Sequence, residues 1–181
     1  MPSGLPGQHD HAGAAVVMAA RSAGGDAVGS VRCTGGRRTS GGSNALDYRI
    51  RYSSDAGDWD IYMTSGVAAW LESIQASDAK TADLVDNTIY ALSRSGPALG
   101  RPLVDTITGS KIKNLKELRP GSSGTSEIRI LFVFDLWRSA ILLAAGDKAG
   151  KWNRWYAEAI PRTEHLYEIY LKERAEEEKE R

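Results

Sequence analysis

Between residues 114 and 156 the chain reads NLKELRPG, EIRILFVF, AILLAAGDK and KAGKWNRWY: three strand-like segments, then at once a run of cations and aromatics. Consecutive strands joined by short loops fold as an antiparallel meander, so the side chains at one end of that sheet follow from where the loops close. If PGSSGTS closes the first hairpin near Arg119 and Glu127, Glu117 lies opposite Arg129. If the turn at 135–138 closes the second near Phe134 and Ala140, Arg129 lies opposite Ala145, one residue before Gly146-Asp147-Lys148. Arg129 and Lys148 then converge at one sheet end, where Lys151, Trp152, Arg154, Trp155 and Tyr156 arrive directly afterwards. Cations beside exposed rings suit the phosphates and bases of single-stranded nucleic acid.

The segments before the meander supply its cover. Trp59-Asp60-Ile61-Tyr62-Met63 alternates as a short strand. Ser65 can cap a helix whose Val67, Trp70, Leu71 and Ile74 share one face. A second helix after Ser77 turns Leu84, Val85, Ile89 and Leu92 inward and stops before Gly96-Pro97, giving a helical hairpin. The stretch GPALGRPLVDTITGSKIKN, with its prolines and glycines, reads as an ordered loop from helices to sheet. In EIRILFVF, Ile128, Ile130, Phe132 and Phe134 point toward the helices, while Arg129, Leu131 and Val133 point to a face open to a partner or a C-terminal helix. That last helix is expected from about Thr163, burying Leu166, Ile169 and Tyr170. The fold class is α+β: a small antiparallel sheet packed on a helical hairpin, with a C-terminal helix.

Residues 1–57 are rich in Gly, Ala and Ser without a sustained period, and read as a disordered extension. Residues 58–172 form the folded domain, and 173–181 a charged helical tail whose mixed acids and bases need only solvent. The apolar segment 14–20 is too short to span a bilayer and lacks a preceding basic region, so no targeting segment or membrane contact is expected. Cys33 is the single cysteine, and His9 and His11 sit in the extension, so no metal or cofactor is expected and a reducing cytoplasm is the natural compartment. Net charge is zero, which argues against an indiscriminate nucleic-acid binder, yet Lys111, Lys113, Lys116, Arg119, Arg129, Lys148, Lys151 and Arg154 crowd the sheet region.

The order of elements, the glycine–lysine turn after a strand and the aromatic that follows resemble the RelE/HigB superfamily, toxins of type II toxin–antitoxin pairs. GPALGRPLVDTI, KELRPGSSG, EIRILFVFD and LLAAGDKAGKWNRWY are similar to its phage-derived HigB-like branch, over residues 58–171. The resemblance implies a RelE-like fold and an endoribonuclease that cuts mRNA in the ribosomal A site, held inactive by a cognate antitoxin. It implies that Arg129 matches the family's middle-strand arginine, Lys148 the basic residue after the last strand's glycine, and Tyr156 or Trp155 the aromatic that stacks on the message. RelE members carry two lysines where this chain has Leu115 and Glu117, with Lys116 pointing the other way, which leaves the proton acceptor open.

RNA is cut when its 2′-hydroxyl attacks the neighbouring phosphate in line, which requires positive charge on the phosphorane oxygens and groups that move two protons. The folded part holds only His165, placed on the last helix away from the cation cluster, so a two-histidine mechanism is excluded. Arg129 and Lys148 are expected to hold the phosphate, Glu117 or a lysine of depressed pKa to accept the 2′ proton, and Tyr156 to stack or donate. Lys111, Lys113, Lys116, Arg119, Lys151, Trp152, Arg154 and Trp155 are expected RNA contacts. Structural readings compete: Glu117 with Arg129 as a cross-strand ion pair, Arg119 with Glu127 as another, and one of Trp152 and Trp155 as a core residue. The expected partners are the ribosome with its mRNA and a helix-turn-helix antitoxin encoded by an adjacent gene. The rival function on the same fold is a non-catalytic inhibitor of the ParE gyrase-poison kind, which does not require cations clustered at one strand end.

Overall fold

The structure, a computed structural model, describes residues 57–181 and the backbone of two short strands before them. Those two are β1 (Arg32–Cys33) and β2 (Tyr48–Arg51), which pair with each other and, through β2, with β3 (Asp60–Met63). Six residues of the segment read as disordered are therefore strand, where the alternation Tyr48-Arg49-Ile50-Arg51 meets an available sheet edge. The rest of that segment up to residue 56, His9 and His11 included, lies outside the described residues.

Thr64, not Ser65, caps α1 (Ser65–Ser77): its hydroxyl oxygen accepts from the Val67 N–H at 3.3 Å and its hydroxyl donates to the Leu143 carbonyl at 3.2 Å. One side chain thus starts the helix and pins it to the sheet. Asp78 caps α2 (Ala79–Ser95), accepting from the Thr81 N–H, the Thr81 hydroxyl and the Ser123 hydroxyl. These bonds, Ser123's first, hold its carboxyl down to about 2, and they tie the loop of the first hairpin to the helices. The second helix ends beside the start of β3, where the Trp59 N–H donates to the Ser93 carbonyl at 2.8 Å. After a loop, β4 (Val104–Thr106) runs antiparallel to β3 in the same sheet and, three reversals later, β7 (Ser139–Asp147) runs parallel to it. The sheet order is β1-β2-β3-β7-β6-β5-β4, with β5 Lys116–Leu118 and β6 Ile128–Phe134, so the expected antiparallel sheet is mixed at its centre. β4 itself was expected as loop; Val104-Asp105-Thr106 alternates briefly enough to be hidden by its prolines and glycines.

The expected registers are each corrected. The first hairpin closes wider, pairing Glu117 with Leu131 and Leu118 with Ile130. A slip of two residues keeps every side chain on its face, so Glu117 and Arg129 become diagonal rather than direct neighbours. In the second hairpin Phe134 faces Ala140 as expected, but the register shifts between Leu131 and Phe132, and Arg129 faces Gly146 instead of Ala145. Leu143 is the extra, bulged residue.

Ile128, Ile130 and Phe132 pack on Val67, Leu71, Val85, Ile89 and Leu92 of the helical hairpin, as expected. Leu131, Val133, Ile141 and Leu143 face the other way, onto α3 (Trp152–Lys179), which covers that face. The helix begins eleven residues before the expected Thr163, and Pro161 lies inside it. An internal proline costs about 3 kcal/mol. Yet Trp155, Tyr156, Ala159 and Ile160 on one side of it and Leu166, Tyr167 and Tyr170 on the other all pack on the same sheet face. Most of these side chains are partly buried, yet seven of them, each gaining a fraction of the roughly 1.5–3 kcal/mol of full burial, together outweigh the missing bond.

The α2 C-cap Gly96 has φ 53°, and a Cβ there would stand 2.1 Å from Trp59 Nε1. Gly96→Ala is therefore expected to cost about 2–4 kcal/mol, from left-handed strain plus overpacking. Gly100→Ala, with nothing within 4 Å, is expected to stay within about 0.5 kcal/mol of the parent. Urea midpoints at unchanged m-value check both.

Candidate active site

Glu117 is the hub. It stands on β5, facing α3, with a side chain only 2% exposed. Its Oε1 accepts from Arg119 Nε at 2.6 Å and lies 2.5 Å from Arg119 Nη2. Its Oε2 accepts from the Tyr156 hydroxyl at 2.5 Å and lies 3.9 Å from Arg129 Nε. A carboxylate so deeply buried persists as a charge only when paired in this way. Arg129 spends Nη1 on the Ile128 carbonyl at 2.7 Å, while its Nε is buried without a hydrogen-bond partner. Tyr156 is pushed up to about 12, by burial first and then by the bond to Glu117 and its charge, with Arg129 pulling the other way. Its phenol stays protonated at physiological pH.

Lys148, at the end of β7, is 4% exposed. Its Nζ meets Glu127 Oε2 at 2.7 Å and lies 4.8 Å from the centre of the Trp152 ring. That lysine holds the Glu127 carboxyl below its ordinary value. Trp152, 59% exposed, meets Tyr156 edge-on at 5.5 Å between ring centres, and Trp155 meets Tyr156 at 4.9 Å. The contacts are continuous from Glu127 through Lys148, Trp152, Tyr156 and Glu117 to Arg119 and Arg129. Of the two tryptophans, Trp155 is the packed one: a Cβ on Gly146 would stand 2.6 Å from its Nε1. Gly146 is the residue the bulge sets opposite Arg129.

Arg119 pairs with Glu117 and with Asp105 Oδ2 at 2.8 Å, not with Glu127, because the wider hairpin puts Glu127 beside Lys148. Lys116 points to the opposite face and donates to Thr106 Oγ1. Lys111 is fixed by its backbone, whose N–H donates to Glu164, and its side chain is exposed. Lys113 and Lys151 are exposed, and Arg154 binds Glu158 on an outer turn of α3. These five stand outside the network. Asp105 belongs to it, and the prolines and glycines around β4 conceal that strand, and so this carboxylate, in the sequence.

An α+β fold with a mixed sheet between a helical hairpin and a long C-terminal helix, and a guanidinium–carboxylate–phenol network at one sheet end, defines the class. The chain belongs to the family described as phage-derived protein Gp49-like, matched over residues 72–168. It is 49% identical over 123 residues to "Putative toxin HigB2" of Mycobacterium tuberculosis, covering 68% of this chain and 59% of that protein. It is 53% identical over 87 residues to "Putative toxin HigB3" of the same organism, covering 48% of this chain and 74% of that protein. The kinship is thus with HigB-like toxins. No solved structure matches the chain significantly. Among the described residues no helix is long and apolar enough to cross a membrane.

Glu117→Gln is expected to move the Tyr156 phenol from about 12 back toward 10, since the charge that opposes tyrosinate is gone. In the parent, this raised phenol pKa adds stability that is complete below about pH 10 and is lost as pH rises through about 12. The tyrosinate absorbance of Glu117→Gln, taken as the difference from Tyr156→Phe, checks the shift; an unmoved transition would show that Glu117 does not govern the phenol.

Proposed function

We propose that this chain is the toxin of a toxin–antitoxin pair, a metal-independent endoribonuclease of the cytoplasm that cuts mRNA on the ribosome. The observation that carries this reading is the Arg129–Glu117–Tyr156 contact at the sheet end where Lys148 and Trp152 meet. The names of the HigB relatives support the toxin reading.

Glu117 is too buried to touch a ribose, but Tyr156 stands on its Oε2 and is the more accessible of the two. The 2′-hydroxyl passes its proton to the Tyr156 oxygen as the phenol's own proton moves to Glu117. The 2′ oxygen bonds to phosphorus, the bond from phosphorus to the 5′ oxygen breaks, and that oxygen takes a proton from Lys148 once Lys148 leaves Glu127. Arg129, whose Nε makes no hydrogen bond and faces Glu117 only at 3.9 Å, bears on the phosphorane oxygens. Trp152 offers its exposed ring to a base. The products are a 2′,3′-cyclic phosphate and a 5′-hydroxyl.

A neutral chain with a local cation cluster binds free RNA weakly, so the ribosome must supply in-line placement, an effect that contributes about 7–11 kcal/mol to such reactions. Purified protein is expected to cut translated messages far faster than naked RNA. Arg129→Ala is expected to lose about 10²–10³ in rate. Its melting point should be near the parent's, because Arg119 still neutralises Glu117. Mapping of transcript 5′ ends and thermal melts check both. Toxicity without any cleavage would favour the gyrase-poison kind of inhibitor.

The partner expected for this site is a small helix-turn-helix antitoxin from an adjacent gene that lays an acidic or amphipathic segment over the cations. Co-expression should restore growth and yield a complex stable to moderate salt. Failure of both would count against the pairing.

A further inference from the structure

Asp105 lies directly across from Glu117 in the β4–β5 ladder, so the two carboxylates emerge on one face. Asp105 Oδ2 is 2.8 Å from Arg119 Nη2 and also 2.8 Å from Arg101 Nη2. The guanidiniums of Arg101, Arg119 and Arg129 thus share the carboxylates of Asp105 and Glu117 along one row, which leaves an excess of positive charge. Folding does not call for Arg101: its side chain is 77% exposed, and an exposed pair of this kind adds little stability. Asp105 is already neutralised by Arg119, and its Oδ1 accepts from the Thr106 N–H. What the arrangement achieves is to keep an exposed guanidinium in a set place beside the site while Asp105 screens it from Arg119. A guanidinium has five donors in a planar fork that matches phosphate oxygens, and the contact to Asp105 occupies only part of that fork.

We propose that Arg101, positioned on Asp105 beside Arg119, binds the RNA phosphate next to the scissile one and extends the candidate active site onto β4. This rests on the ribonuclease reading above. A phosphate at that point meets the free donors of the exposed Arg101 fork, with Arg119 close behind on the same Asp105 oxygen, which gives a charge-assisted and salt-dependent interaction. Base identity plays no part in it, so the contact sets register and affinity along the strand without choosing sequence.

The test uses the full chain and a single-stranded RNA oligonucleotide methylated at every 2′ oxygen, which cannot be cut. Its affinity is read by fluorescence anisotropy over a series of salt concentrations. Arg101→Gln is expected to reduce the slope of log affinity against log salt by about 0.7 and to weaken binding several-fold at low salt. Arg101→Lys, which keeps the charge, should retain the slope. On ribosome-bound message, Arg101→Gln should raise KM and leave kcat within about twofold, the pattern of a contact equal in ground and transition states. Arg94→Gln, whose guanidinium binds Asp58 from the end of α2, serves as the control that changes neither quantity. An unchanged salt slope in Arg101→Gln, while Arg129→Ala still shows its expected loss in cleavage rate, overturns this proposal alone. A fall in kcat with the slope unchanged makes Arg101 a support of the fold and overturns it too. Absence of both binding and cleavage in the parent overturns the ribonuclease reading together with it.

Discussion

The burial of one carboxylate organises this molecule's functional end. Glu117 sits in the middle of a short strand with almost no contact with water, so its charge has to be met from every side the sheet allows. Arg119 meets it along its own strand, Tyr156 from α3, and Arg129 diagonally from β6. Each partner is thereby fixed. Arg119 reaches on to Asp105, which secures β4, and Tyr156 brings Trp152 and Trp155 and the start of α3 with it. Replacing Glu117 by an apolar residue would make a simpler sheet and release all of these groups at once, so the buried charge is better understood as an organiser of a site than as a source of stability.

The far end of α3 repeats the device. Tyr170 donates to Asp135 Oδ2 at 2.5 Å, and Asp135 Oδ1 accepts from the N–H groups of Trp137 and Ser139 in the turn between β6 and β7. Burial and that bond push the Tyr170 phenol upward. Arg174 donates to the Tyr170 oxygen and stacks on Trp137. A tyrosine bonded to a buried carboxylate at each end makes α3 a strap across the sheet. This explains how α3, with Pro161 inside it, stays on the sheet from Tyr156 to Tyr170.

Much of this was legible in the sequence where a pattern was local. The apolar alternation of EIRILFVF gave both faces of β6, and Gly96-Pro97 gave the end of α2. Arg129, Lys148, Tyr156 and Glu117 were placed at one sheet end because hairpin topology tolerates a slip of two residues without turning a side chain over. What local pattern could not give depended on distant partners. Pro161 reads as a helix boundary until the sheet face on both sides of it is known. The three residues of β4 gain strand character only from β5, and Asp105 acquires its meaning only from Arg119. Lys116 and Arg119 look alike in the sequence, but alternation along β5 and the loop after it sends one to Thr106 and the other to Glu117.

The bulge on β7 shows how closely fold and site are bound together. Leu143 and Ala144 both turn toward α3, so the strand gains a residue relative to β6. The Leu143 carbonyl takes the Thr64 hydroxyl that caps α1. The same added residue moves Gly146, rather than Ala145, opposite Arg129. Only there does the absence of a Cβ let Trp155 come close enough to seat Tyr156 over Glu117. A regular strand would have paired Arg129 with Ala145 on the α3 face and put a Cβ where Trp155 now stands. Cap, bulge, glycine and tryptophan thus act in series: the start of α1 and the position of the Tyr156 hydroxyl are set by one irregularity in one strand.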